Sequence, residues 1–430
     1  MRQKISLLVL FLLIFITACS KESVLPVDTI ETFIEEWNNE NFTAMYEMLS
    51  EEAKATYSPE QFIDRYEKIY QDLDIHNLQV SYQELSKETL EQTVEDGVAT
   101  FPISVEMDSI AGPIQFTYEA TVVLEGEKTN QSWAIQWDPG FIFPELKDGG
   151  EITIKTVKPR RGEILDRNQM PLALNDIVYE IGIVPEKLGA NAEQEKRRIA
   201  ELLNMSVERI DAALNADWVK PDLFVPLKKV PKTKEHTLNQ LWQLDSVVGK
   251  ETLGRFYPLG EASAHLVGHV GQITAEELEE FEPGLYDPDD MIGKRGLEKL
   301  FEERLRGKKG ISVMITRDDG EEVMIAEKPV QHGENISLTI DVNIQEAFFE
   351  AYGDDTGTAA VIHPKTGETL ALVSSPAFDP NEMVYGVTQS QWDQWQNDPR
   401  KPLVNRFTAT YAPGSVLKQI SAAIGLHRRR

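Results

Sequence analysis

The residues in this chain best able to do chemistry are a serine and a lysine three positions apart, in Tyr411-Ala412-Pro413-Gly414-Ser415-Val416-Leu417-Lys418. Pro413 and Gly414 end whatever precedes them, and an apolar run follows over residues 420–426. The spacing predicts Ser415 at or near the first turn of a helix, with Lys418 one turn later on the same face. A serine hydroxyl is a poor nucleophile near neutral pH and needs a neighbouring base, which an amine at this spacing supplies once it is neutral. Burial or a second positive charge lowers a lysine pKa to that end. The free N–H groups and positive dipole end of the helix favour the negative charge that develops on a carbonyl oxygen during acyl transfer. Ser415 is therefore the candidate acyl nucleophile and Lys418 the candidate general base. A bare Ser-x-x-Lys is matched about once by chance in a chain of this length, and the same residues read equally as a helix N-cap beside a solvated lysine.

Two other constellations contain residues of ligating or reactive type. His265 and His269 lie four apart, but Gly268 and Gly271 flank His269 and no glutamate follows His265, so the metalloprotease spacing fails and no metal is expected. No cofactor motif is present. The single cysteine, Cys19, excludes an internal disulfide framework and a multi-cysteine metal site. It follows a basic opening, Met1-Arg2-Gln3-Lys4, an apolar run over residues 5–16 and the small pair Thr17-Ala18, which together describe an export signal. The run is shorter than the roughly 18 residues of a membrane span. Ile16-Thr17-Ala18-Cys19 resembles a bacterial lipobox, which implies cleavage before Cys19 and lipid on its thiol; a plain signal peptide or an uncleaved anchor are the alternatives. With 43 basic against 71 acidic residues the chain carries −28, a field that repels phosphate backbones, so no nucleic-acid partner is expected.

The elements that must position Ser415 begin far upstream. The 430 residues suggest two to four units. Ile30, Phe33, Ile34 and Trp37 recur at helical spacing within residues 29–70, where several short helices are predicted. Alternation over residues 99–107, 114–124 and 132–137 predicts strands of a curled antiparallel sheet, hence a small α+β cone. Its exit is read at Trp137-Asp138-Pro139-Gly140 and Ile142-Phe143-Pro144, with Trp133 and Trp137 as core rather than a ligand cradle. Lys147-Asp148-Gly149-Gly150-Glu151 marks a boundary. Beyond it the pattern predicts helix near residues 191–214, a charged helix ending near Arg306 and a strand over 311–315. A helix through Gln345 and Phe348 and a hairpin of residues 358–362 and 369–374 complete the sequence-based expectations.

The stretch around Ser415 looks like the active-serine motif of penicillin-recognising enzymes, and the upstream landmarks follow the order of class B penicillin-binding proteins. Arg161-Gly162-x-Ile164-x-Asp166-Arg167-Asn168, Arg255-x-Tyr257-Pro258 and Gly293-x-x-Gly296-Leu297-Glu298 resemble that family's non-catalytic pedestal. Thr339-Ile340-Asp341, residues 357–376 and Phe378-Asp379-Pro380-Asn381 resemble the entrance to its transpeptidase domain. A lipidated start followed by a cone ending at Trp137-Asp138-Pro139 is similar to the low-affinity proteins of Gram-positive bacteria, the group that contains the methicillin-resistance transpeptidase. The resemblance implies an α+β multidomain chain. Residues 1–19 would be the lipoprotein signal, 24–147 a cone with the fold of nuclear transport factor 2 (NTF2), 150–325 the dimerisation or pedestal domain, and 335–430 the first part of the transpeptidase α/β domain. It implies a D,D-transpeptidase that acts on peptidoglycan stem peptides and is acylated by β-lactams. It further implies anchoring by Cys19 at the extracellular face of the cell membrane, with cell-wall synthesis proteins as candidate partners.

The sequence departs from the family after Lys418. The family's working set adds Ser-Asp-Asn and Lys-Thr-Gly, and neither occurs in the twelve residues that follow. Lys365-Thr366-Gly367 precedes the serine in a predicted hairpin turn and is read as a decoy. Without the late strands a second oxyanion donor and the cleft wall are missing. The expectation is a C-terminal truncation by frameshift or premature stop, although basic residues at a helix C-terminus leave a native tail His427-Arg428-Arg429-Arg430 open. On that reading residues 335–430 should be loose, with Ile420 and Ile424 exposed, and the chain should form no stable acyl-enzyme with penicillin. The competing readings are a non-catalytic cell-envelope lipoprotein module and a β-lactamase, the latter having no use for so long a pedestal.

Overall fold

The computed structural model describes residues 25–127, 130–189 and 191–428; the expected export signal with Cys19 lies outside the described residues. The chain forms two compact units, Met1–Lys158 with Lys309–Val330, and Pro159–Lys308 with Gln331–Arg430.

In the first unit four helices, Pro26–Asn38, Phe42–Glu47, Glu51–Thr56 and Pro59–Asp72, precede an antiparallel meander of His76–Tyr82, Val98–Ser109, Gly112–Glu125 and Ser132–Gln136. Three of these four helices start at a side-chain cap, Asn41, Ser50 and Ser58. Ser58 accepts a hydrogen bond from the Gln61 amide at 3.2 Å, the Gln61 side chain accepts one from the Ser58 amide at 2.9 Å, and Pro59 takes the first helical position. Ala99, Phe101, Ile103, Val105 and Met107 alternate onto the buried face of their strand, as the period of two requires. The core between helices and sheet is aromatic: Phe33, Trp37, Phe62, Tyr66 and Phe141 are fully buried. The indole N–H groups of Trp37 and Trp137 donate to the hydroxyls of Tyr70 at 2.8 Å and Tyr66 at 3.1 Å. Trp133 and Trp137 are thus core residues, as the sequence predicts.

Two features of this unit are not visible in local patterning. A helix, Lys87–Asp96, lies between the strands His76–Tyr82 and Val98–Ser109; capped by Ser86 and ended by Gly97, it has no buried residue and so no buried apolar stripe to betray it. The strands Gly310–Thr316 and Glu322–Lys328 join Glu151–Val157 in a three-stranded antiparallel sheet, and Val313, Ile315 and Ala326 enter the aromatic core.

The second unit is organised on the long strand Pro171–Ile183, which pairs antiparallel with Val225–Pro231 on one side and Val247–Phe256 on the other. Helices Ala192–Leu203, Val207–Leu214 and Glu235–Leu241 contribute Ile199, Leu203, Ile210, Leu238 and Leu241 to one core with Ile181 and Ile183. Further on, His269–Gln272 pairs with Met291–Arg295, and the predicted charged helix is two short ones, Gly296–Leu300 and Glu302–Arg306. The helix Val342–Tyr352 then leads to the hairpin of Gly357–Ile362 and Thr369–Ser375. Gln345 binds that helix to the hairpin. Fully buried, it accepts from the Leu372 amide at 2.8 Å and donates to the carbonyls of Leu372 at 2.9 Å and Ala262 at 2.7 Å.

Candidate active site

Gly414 adopts φ +52°, and the chain makes a single 3-10 turn, Gly414–Val416, before the helix Leu417–His427. A Cβ at Gly414 would meet nothing within 4 Å, so the left-handed backbone rather than crowding requires glycine there. Ser415 lies at the centre of the turn and Lys418 on the first turn of the helix, close to the predicted placement. The approach to them is anchored by Arg406. Its backbone amide donates to Ser374 Oγ at 3.1 Å, its buried guanidinium donates to the carbonyls of Val404 and Lys401, both at 3.2 Å, and to that of Arg400, and its own carbonyl accepts from the Tyr411 hydroxyl at 3.1 Å. The loop before the serine is thereby tied to the hairpin.

Beyond that anchor the chain is bare. Every residue from 408 to 428 is exposed, including Val416 at 77% and Leu426 at 71%, together with Ile420 and Ile424. Among the described residues neither Ser415 Oγ nor Lys418 Nζ makes a hydrogen bond or ion pair. Lys365-Thr366-Gly367 sits in the predicted hairpin turn, where Thr366 Oγ1 bonds His363 Nδ1 at 2.9 Å and Glu368 at 3.0 Å. Hydrogen exchange should divide this region sharply: amides of residues 417–428 exchange near the rate of an isolated short helix, while those of Thr369–Ser375 are protected by pairing and burial. Equal protection in both would mean that the terminal helix is packed in solution.

The family-like landmarks converge on one buried carboxylate that sequence reading left as a mere signpost. Glu298, fully buried, takes Arg255 Nε at 2.6 Å and the Tyr257 hydroxyl at 3.1 Å on one oxygen, and Arg161 Nε at 2.7 Å on the other. Arg161 also reaches Glu302 at 2.6 Å, and the Tyr257 hydroxyl accepts from the Val270 amide at 2.9 Å. Burial works to raise the Glu298 pKa, yet Arg255 and Arg161 hold it below the ordinary glutamate value. Arg255 Nη2 remains without a partner among the described residues. Gly162 is glycine because a Cβ there would lie 1.9 Å from the Glu334 carbonyl oxygen.

Two more landmarks extend the node. Asn381 pairs with the backbone of Tyr257 in both directions, accepting from its amide at 3.0 Å and donating to its carbonyl at 2.9 Å. Asp166 accepts from the amides of Asn168 at 2.6 Å, Met170 at 2.8 Å and Val342 at 3.1 Å. Burial pushes its pKa upward, but these N–H groups hold it below the ordinary aspartate value. The node contains no group that could attack a substrate; it aligns the elements from which the serine segment departs.

The two histidines face backbone carbonyls, with His265 Nε2 2.8 Å from Pro402 O and His269 Nδ1 3.1 Å from Val270 O, and both pack edge-on against Phe378. Burial depresses both pKa values, that of His265 to about 4. Asp287, Asp289 and Asp290 bring carboxylate oxygens within 4.8 Å of one another, but such an acidic loop is not by itself a metal centre.

Comparison with known proteins places these observations. Residues 25–150 match the NTF2-like N-terminal transpeptidase domain, 156–338 the penicillin-binding protein dimerisation domain, and 357–429 the penicillin-binding protein transpeptidase domain. Penicillin-binding protein 3 of Bacillus subtilis (strain 168) is 39% identical over 414 residues, which are 96% of this chain and 61% of that protein. Peptidoglycan D,D-transpeptidase MrdA of Escherichia coli (strain K12) is 32% identical over 286 residues, 64% of this chain and 45% of that one. Among solved structures, the complex between penicillin-binding protein PBP2 and MreC from Helicobacter pylori is similar at 26% identity and a TM-score of 0.48, covering 63% of this chain and 51% of that one. The chain thus spans about three fifths of the length of the first relative and less than half of the second. With an NTF2-like domain, a dimerisation domain and a transpeptidase domain matched in that order, the chain is similar to the class B penicillin-binding proteins.

Proposed function

We propose that this chain supplies the acylating serine of a peptidoglycan D,D-transpeptidase. Ser415 Oγ attacks the carbonyl of the penultimate D-alanine of a stem peptide while its proton passes to Lys418 Nζ, and that proton leaves with the terminal D-alanine. An amine from a neighbouring stem then displaces Ser415 from the acyl-enzyme. β-Lactams acylate the same oxygen, which opens their ring. The observation that carries this reading is the junction itself: Gly414 at positive φ sets a tight turn from which Ser415 and Lys418 emerge three residues apart, on a segment anchored to the hairpin by Arg406. Because both side chains lie in water, turnover requires further protein surface over the helix, bringing an oxyanion donor and a cleft. Fusing this chain to the remainder of the Bacillus subtilis relative's transpeptidase domain tests the assignment. Penicillin should then label Ser415, and substitution of either Ser415 or Lys418 by alanine should remove the label. A folded fusion labelled elsewhere, or not at all, overturns it.

A second reading, a non-catalytic cell-envelope lipoprotein module, is favoured by the contrast between the fully buried Glu298 node and the bare segment 408–428. The same fusion discriminates, because a module has no use for a reactive Ser415.

Ile16-Thr17-Ala18-Cys19 supports a placement at the membrane. We propose cleavage before Cys19, lipid on its thiol and residence on the outer face of a Gram-positive membrane, in the low-affinity, methicillin-resistance-type group and in contact with cell-wall synthesis proteins. Among the described residues no helix is long and apolar enough to cross a membrane. The match of residues 25–150 to the NTF2-like domain immediately after the lipobox-like motif supports this order. Several acyl chains on one cysteine anchor firmly, whereas a single chain is marginal. Replacing Cys19 by alanine should therefore release the protein to the medium. Retention in the membrane fraction would rule out the lipoprotein assignment.

A further inference from the structure

The chain carries −28, yet three cations collect at one cavity of the second unit. Lys294, Arg295 and Lys299 line a hollow of about 290 Å³ together with His265, Phe378 and Asn405, and no carboxylate is among its lining residues. Lys294 is paired with Glu277, whereas Arg295 and Lys299 have no ion pair among the described residues. Asn405 adds an independent sign. Its amide nitrogen faces the His265 carbonyl at 3.5 Å, but its Oδ1 is buried and accepts no hydrogen bond among the described residues. A buried acceptor left unsatisfied is costly, and a ligand N–H or O–H would relieve it. His265 is kept neutral by burial, is bonded to Pro402 O and packs edge-on against Phe378, so these two lining residues add no charge.

We propose that this cavity binds a small oxyanion, carboxylate or phosphate, that carries an N–H or O–H donor beside its charge. The oxyanion pairs with Arg295 and Lys299, the donor meets Asn405 Oδ1, and the remainder lies against Phe378. The volume is at the low end of small-molecule sites, roughly 300–1,000 Å³, and suits a ligand the size of an amino-acid or glycerol unit rather than a polymer. The site uses neither Ser415 nor Lys418, so it stands whatever becomes of the acylation assignment.

Calorimetric titration of the whole chain at low salt, with four probes, tests the proposal. N-Acetylalanine offers a carboxylate with an N–H, glycerol 3-phosphate a phosphate with an O–H, acetate an anion without a donor, and N-acetylalanine amide a donor without an anion. At least one of the first two should bind in the millimolar range or tighter, and the better of them identifies the oxyanion. Acetate should bind more weakly than N-acetylalanine, and the neutral amide should not bind. The Arg295→Gln, Lys299→Gln double variant removes only exposed, unpaired charges and should keep its thermal midpoint while weakening the anions about tenfold. Asn405→Ala should remove the advantage of N-acetylalanine over acetate. No binding by either donor-bearing anion, equal binding of the neutral amide, or undiminished affinity in the folded double variant would overturn the proposal.

Discussion

Fluorescent penicillin is expected to leave no adduct on Ser415 of the 430-residue chain under conditions in which the longer Bacillus subtilis relative is labelled. Acylation needs a nucleophile, a base that is neutral at the right moment, donors aimed at the developing oxyanion, and a cleft that orients the amide. The first two are present in sequence, but both side chains are exposed and, among the described residues, neither makes a hydrogen bond. Loss of an oxyanion donor typically slows acyl transfer about 100- to 1,000-fold, and loss of positioning can remove about another hundredfold. The combined deficit, on the order of ten-thousandfold or more, puts labelling beyond an ordinary incubation. Mass spectrometry of the chain and its Ser415→Ala variant provides the check. An adduct on Ser415 that vanishes in the variant would mean the 430 residues already assemble a working site.

The next largest effect is on stability. Glu298→Ala should destabilise the second unit by about 3–5 kcal/mol, because it leaves the Arg255 and Arg161 guanidinium groups facing each other without their shared counter-ion. Glu298→Gln keeps the volume and should recover part of the packing but not the pairing. The pH dependence has a definite sign. A carboxylate whose folded pKa is depressed stabilises the fold above its unfolded value, near 4.3, and loses that contribution as pH falls through the lower folded value. Denaturant unfolding should therefore show a Glu298-dependent contribution that is constant from neutral pH down to about 5 and fades below about 4.3. A cost below about 1 kcal/mol for Glu298→Ala would show the node to be dispensable.

Local pattern made much of this molecule legible. The strands containing Phe101 and Ile114, the hairpin around His363 to Glu368, the burial of Trp133 and Trp137, and the turn-to-helix placement of Ser415 all follow from periodicity and punctuation acting over a few residues. The helix Lys87–Asp96 did not, because a helix that buries nothing leaves no hydrophobic period to read. Nor did the convergence on Glu298, whose partners lie 137, 43 and 41 residues away. Arginine and glutamate are ordinarily surface residues, and a sequence does not say which of them will meet inside. The one available signal was company: Arg255 beside Phe256 and Tyr257, and Glu298 beside Leu297 and Gly296, are charges embedded in apolar or small neighbours.

The two strands that complete the first unit come from residues 310–328, after the chain has run through about 150 residues of the other unit. During synthesis at roughly 5–20 residues per second, the aromatic core containing Phe33 and Trp37 must wait about 8–30 s for Val313, Ile315 and Ala326 to emerge. For that interval the nascent polypeptide presents an unfilled apolar face and an unpaired edge on Glu151–Val157, the kind of surface on which holding chaperones act and aggregates begin. A gene fragment cut near codon 158 would make that transient state permanent, whereas one that splices residues 309–330 back after residue 158 through a short linker would let the unit close as soon as it is made.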